Sequence, residues 1–187
     1  MPKVIECRPV LDDATSLALG AGDAVSVSGE LTTIRDATAR RLLDIAVSGK
    51  PLPFDLVGRM LYAVGPSPAK PGQIVGSAGP TTIERFVAYL PFLFRSGVKG
   101  VIAKGELHGD IVDVFHQAGA VYLAAIGGLG ALLGKQVVAA ETVAFPELGP
   151  EALQKFTVRD FPAVVIIDRH GANFHETARA RWRRERS

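Results

Sequence analysis

The sequence predicts an α/β fold in which parallel strands alternate with helices. Residues 98–103 (VKGVIA) and 120–126 (AVYLAAI) are short apolar runs, the pattern of strands buried on both faces. Between them, residues 107–117 have helical spacing, and Gly119 supplies a stop. Strand, helix and strand make a parallel pair, because a parallel connection needs a crossover of this length. The chain of 187 residues is 48% hydrophobic and 21% charged, enough for one domain with a sizeable core.

The remaining elements follow in order. Residues 3–10 alternate weakly and read as an extended strand ending near Pro9, whereas 11–19 fit neither period. Ala21-Gly22-Asp23 is a turn, and residues 24–31 (AVSVSGEL) form a strand with alternating valines. Thr33-x-x-Asp36 reads as a helix start. Ala37, Leu42, Leu43, Ile45 and Ala46 then make an apolar stripe that ends at Gly49. Residues 60–64 are a strand, and the proline-rich stretch 66–72 is a stiff loop. A helix is expected over 83–95, with a kink or early end at Pro91, which lacks the amide for the carbonyl of Val87. Gly127-Gly128-Leu129-Gly130 opens a short helix with the wrong spacing for a dinucleotide fingerprint. Residues 136–143 are a strand and 145–149 a loop. Residues 158–162 lead into a buried strand at 163–167 (AVVII), and 168–173 turn after it. His170, in that turn, has no paired acid visible in sequence and reads as exposed.

Charge and cysteine content exclude several functions. A net charge of +2 is too small to argue for nucleic-acid or membrane binding. Five arginines crowd residues 179–187, either a solvated tail or a docking strip for an acidic partner. The one cysteine, Cys7, forms no internal disulfide and cannot by itself hold an iron–sulfur cluster or a structural zinc. The first residues lack the apolar core of a signal peptide, and no apolar run reaches about 18 residues. The expectation is a cytoplasmic protein.

One stretch stands out for chemistry: Gly76-Ser77-Ala78-Gly79-Pro80-Thr81-Thr82-Ile83-Glu84-Arg85. A tight turn delivers two threonines and an arginine to a helix start, where free N–H groups favour an anion. Thr81-x-x-Glu84 is also a capping-box pattern, so the stretch reads either as a plain cap or as an anion site built on one. Arg35 stands beside another predicted helix start. An arginine there opposes the helix dipole, and two such residues suggest a bound anion. Lys104 follows a predicted strand at its carboxyl end, where α/β sheets gather ligands; an ordinary surface lysine is the alternative.

These motifs resemble the β subunit, or C-terminal domain, of the class I iron–sulfur fumarases and L(+)-tartrate dehydratases. The matching pieces are Ala21-Gly22-Asp23, Thr33-Ile34-Arg35-Asp36-Ala37, Gly65-Pro66, the G-S-A-G-P-T-T block with Arg85 three residues beyond it, and Ala103-Lys104-Gly105. Gly127-Gly128, Pro146-Glu147-Leu148-Gly149 and Asp160-Phe161-Pro162-Ala163 complete the set. The resemblance implies a swivelling β/β/α domain, a mixed sheet with packed helices, over residues 1–178, followed by the arginine-rich tail 179–187. It implies a hydro-lyase subunit acting on a small dicarboxylate, with fumarate and (S)-malate first. The alternatives are an L(+)-tartrate or mesaconate dehydratase subunit, or a dicarboxylate-binding module without chemistry. It also implies a 4Fe–4S cluster held by three cysteines of an α partner, with no metal ligand in this chain, and an α2β2 assembly. Carried over by motif, Arg35, Arg85 and Lys104 would bind substrate carboxylates, Thr81 would take the proton, and Thr82 would hold the turn or touch substrate. A free hydroxyl is a weak base, so Thr81 would need a neighbouring carboxylate, expected from the α partner. Ile83, Glu84 and Phe86 depart from the small residues and methionine usual there, and Ala39 stands where many members have histidine.

Overall fold

The computed structural model describes residues 4–183. Seven strands form one mixed sheet: β1 (Val4–Cys7), β2 (Ala24–Ile34), β3 (Met60–Ala63), β4 (Gly100–Ala103), β5 (Val121–Ala124), β6 (Val137–Ala144) and β7 (Leu153–Ile167). Six helices accompany them: α1 (Asp13–Leu17), α2 (Asp36–Val47), α3 (Leu90–Arg95), α4 (Asp110–Ala118), α5 (Gly130–Lys135) and α6 (Phe174–Trp182). The expected α/β class with a mixed sheet is what forms.

Strands β1 to β5 pair in parallel, and β7 runs antiparallel to β2, β5 and β6. Because β7 pairs with both β2 and β5, the pairings close a circuit through β2, β3, β4, β5 and β7. Alternation then buries both faces of β3, β4 and nearly all of β5, while β2 and β7 keep exposed positions. Met60, Tyr62 and Val64 of the β3 segment pack inside with Ile102, Val121, Leu123 and Phe161. Leu61 and Ala63 face outward with Val101, Ala103 and Tyr122, under a helical layer that includes Leu42, Leu93 and Phe115. This is why residues 100–103 and 120–123 are apolar throughout: neither face meets water.

Several expectations need correction. Thr33 belongs to β2, and the N-cap of α2 is Arg35, so Thr33-x-x-Asp36 is not the helix start. The helix expected over 83–95 is two pieces, a 3-10 turn Ile83–Phe86 and α3. Pro91 sits in the first turn of α3, where its missing amide costs no helical bond. The expected loop over 145–149 is overlapped by a 3-10 segment, Pro146–Glu151. The last sheet strand begins at Leu153, ten residues before the predicted start, and passes through Pro162 by way of an irregularity at Asp160, whose φ is 51°. Arg179 and Arg181 lie in α6, and Arg179 pairs with Glu106, so the arginine-rich stretch begins inside a helix. Arg184 and Arg186 lie outside the described residues, as does Lys3. His170 is exposed and Cys7 is buried. Among the described residues, no helix is long and apolar enough to cross a membrane.

Candidate functional site

The parallel register brings four strand ends to one edge. Ile34 pairs with Ala63, Tyr62 with Ile102, and Ala103 with Ala124. Arg35, Val64-Gly65, Lys104 and the Gly127-Gly128 turn therefore emerge together at the carboxyl edge of the sheet, the end where open α/β sheets place ligands.

The Gly76–Arg85 stretch is sewn across that edge by its own backbone. The Thr81 amide donates to the Ala63 carbonyl at 2.7 Å, and the Thr81 carbonyl accepts from the Lys104 amide at 3.0 Å. The Ile83 amide then donates to the Lys104 carbonyl at 2.8 Å. Thr81 and Thr82 thus run like a short strand between the ends of β3 and β4. This overturns the capping-box reading. The N-cap is Thr82, it makes no side-chain cap bond, and Glu84 is exposed. The main chain of Thr81 is committed to the sheet edge, which takes it out of cap geometry.

Two tyrosines anchor the loops from below. The Tyr62 hydroxyl donates to the Ala78 carbonyl, and the Tyr122 hydroxyl donates to the Gly105 carbonyl at 2.7 Å. Burial pushes both phenols well above their ordinary range, with the nearby Glu106 charge adding to the effect at Tyr122. They stay neutral donors at physiological pH. The Ala78 amide also donates to the Gly130 carbonyl at 2.9 Å, tying the turn to α5.

A shallow depression of about 420 Å³ lies over this edge, lined by Gly65, Ser67, Ser77, Gly79, Pro80, Lys104, Gly127, Gly128 and Gly130. Glycines let backbone approach closely here. A Cβ on Gly130 would overlap the Ser77 hydroxyl, and one on Gly65 would overlap Nη1 of Arg35.

The structure brings the sequence-predicted residues together unequally. Lys104 is exposed and lines the depression. Arg35 lies against the Gly65 wall, its side chain 18% exposed, with Nη2 3.1 Å from Glu151 Oε1. Thr81 follows Pro80, which lines the depression, but is itself outside the lining and partly buried. Thr82 is bridged to Lys104 through the main chain and does not line the depression. Arg85 is also outside the lining; it is 54% exposed and ion-paired with Asp36 at the start of α2. Arg85 sits in a four-residue 3-10 turn, so the macrodipole argument made for it in sequence has little weight. Ile83, Phe86 and Ala39 are buried core residues, which accounts for their apolar character. Sequence reasoning missed Glu151 and Asp36 as the carboxylate partners of the two arginines. Asp36 was visible in the quoted motif, but no spacing rule links residue 151 to residue 35.

A sequence-family model described as Fumarase C-terminus matches residues 10–178. The chain belongs to the fumarase C-terminal family. The anaerobic class I fumarate hydratase of Escherichia coli K12 is 36% identical over 154 residues, covering 81% of this chain. A putative L(+)-tartrate dehydratase subunit beta of Methanocaldococcus jannaschii is 34% identical over 164 residues, covering 84% of each chain. A putative class I fumarate hydratase of Geobacillus stearothermophilus is 34% identical over 179 residues. This fumarase C-terminal chain spans only 28% of the length of the E. coli enzyme but most of the archaeal subunit.

The geometry makes one prediction for this edge. In Gly65→Ala the new methyl takes the place of Nη1, and the far end of a flexible side chain can yield. The melting temperature should hold within a few degrees, and if Arg35 binds a substrate carboxylate, KM for that substrate rises severalfold. Steady-state kinetics beside a thermal melt checks this; an unchanged KM would detach Arg35 from binding.

Proposed function

We propose that this chain is the β subunit of a hydro-lyase that adds water to, or removes it from, a small dicarboxylate. Fumarate and (S)-malate are the first candidates, and L(+)-tartrate or mesaconate come next. The observation that carries the reading is Lys104 in the lining of a glycine-rich depression at the sheet's carboxyl edge, with Arg35 behind its Gly65 wall and Thr81 next to its Pro80, in a chain of this family. Two carboxylates need more than one cation, and a guanidinium can grip a carboxylate through two parallel N–H bonds. Lys104 and Arg35 hold the substrate in this account. Arg85 closes on it from the adjacent turn, and Thr82 keeps the turn in register. The Thr81 hydroxyl handles the proton at the substrate carbon, which needs a carboxylate beside it to be basic enough.

The residues described here do not fit an iron–sulfur cluster. Cys7 is buried in the core on β1, opposite Val27. That is about 20 Å along the sheet from the end of β2 at 3.3 Å per residue. Among the described residues no group of three His, Cys, Asp or Glu side chains could hold a metal. In this proposal, as the resemblance implies, a 4Fe–4S cluster is held by three cysteines of an α partner, within an α2β2 assembly in the cytoplasm. A carboxylate from that partner would also activate Thr81.

The test is turnover by the complex of this chain with its partner, offered fumarate, malate, tartrate and mesaconate alongside crotonate, a monocarboxylate. Turnover confined to one or more dicarboxylates supports the reading. Equal turnover of crotonate, or none of any acid, would overturn it.

A further inference from the structure

The start of α2 is held by a residue from a distant part of the chain. Glu151, at the end of the 3-10 segment Pro146–Glu151, spreads its carboxylate between two donors. Oε1 lies 3.1 Å from Arg35 Nη2, and Oε2 accepts from the Ala37 amide at 3.1 Å. The Thr38 hydroxyl donates to the Glu151 carbonyl. The carboxylate thus ties one terminal nitrogen of the guanidinium to one free amide in the helix's first turn. On the guanidinium's other terminal nitrogen, Nη1 rests against Gly65, where any Cβ would collide with it. A side chain with several rotatable bonds is confined on both sides, and its contact with Glu151 is an ion pair through one terminal nitrogen that leaves the rest of the guanidinium's donors to a ligand.

We propose that Glu151 is a positioning residue: it sets the Arg35 guanidinium at the depression's Gly65 wall, ready for a substrate carboxylate. The proposal rests on the dicarboxylate reading above. Glu151 does not touch substrate. It removes the rotamer freedom that Arg35 would otherwise lose on binding, so its effect passes through Arg35 and appears in substrate affinity. A salt bridge that merely pinned the Pro146–Glu151 segment to α2 would affect stability and leave Arg35's role in binding untouched.

Glu151→Gln keeps the volume and one acceptor oxygen but cannot serve both donors. Two readouts decide the matter. The first uses the isolated chain and needs no activity: the rate at which phenylglyoxal modifies Arg35, followed by mass spectrometry, with exposed Arg40 as internal control. The expected result is a severalfold faster reaction at Arg35 and none of that change at Arg40. The second uses the complex with its partner: KM should rise roughly tenfold with kcat nearly kept, and adding Glu151→Gln to Arg35→Ala should cause no further loss. An unchanged Arg35 labelling rate, or losses that add in the double variant, would overturn the proposal. Should Glu151→Gln melt early, Glu151→Asp, which keeps the charge, must restore slow labelling, and fast labelling in that variant would also overturn it. If the unsubstituted complex turns over no dicarboxylate, the functional reading fails separately, and the labelling rate still decides whether Glu151 sets Arg35.

Discussion

Replacing Thr81 with valine should lower kcat by about a hundredfold to ten-thousandfold, the usual range for removing a group that moves a proton. Folding should barely notice. The bonds that hold this residue are all main-chain, to Ala63 and Lys104, and they survive the substitution. Valine keeps the β-branch that suits the strand-like conformation between β3 and β4 and removes only the hydroxyl. The hydroxyl is no cap, since the N-cap of the following turn is Thr82. Loss of about 1 kcal/mol through a missing cap is therefore not expected. Steady-state turnover of the assembled enzyme, beside a thermal melt, checks the prediction. A lower melting temperature with turnover intact would return Thr81 to a structural role.

Lys104→Ala should cut kcat/KM by roughly 10- to 150-fold, what one hydrogen bond to a charged group contributes at 1.5–3 kcal/mol. The effect on stability should stay within about 0.5 kcal/mol, because the side chain is exposed. The structural work at this position is done by the backbone, which donates to Thr81 and accepts from Ile83. Kinetics with a dicarboxylate and a denaturant melt separate the two. A variant with wild-type kcat/KM would make Lys104 a plain surface lysine.

Why some of this was legible in the sequence and some was not follows from particular residues. Strands β3, β4 and β5 were readable because both faces are buried and the sequence is apolar throughout. The βαβ order then placed Lys104 at a carboxyl end. The arginines and Thr81 stood out as anion-site candidates at predicted helix starts, and took their specific roles from the family motifs. Strand β7 was truncated in the reading because Arg159-Asp160-Phe161-Pro162 has turn composition. The chain nevertheless stays paired there, with the Asp160 amide donating to the Ser28 hydroxyl at 2.9 Å and Pro162 in register with Ser26. The capping-box signal misled because sheet-edge bonds to Ala63 and Lys104 are tertiary and leave no local trace. Helix α6 was missed because its arginine-rich sequence has almost no apolar stripe, and no residue in it is buried. Glu151 was invisible for a different reason: its partner, Arg35, is reached only through the fold.

On the proposed reading, this chain supplies the cations and the proton-handling hydroxyl of a dicarboxylate site that a second, cluster-bearing chain completes. Anaerobic co-expression with that partner, followed by iron analysis and a fumarate or malate assay of each chain alone and of the complex, tests it most directly. The account predicts a brown two-chain complex that contains iron and turns over a dicarboxylate, and a lone chain that is colourless and inactive. A lone chain that turns over the dicarboxylate, or an iron-bearing complex whose activity survives loss of both Thr81 and Lys104 side chains, would contradict it.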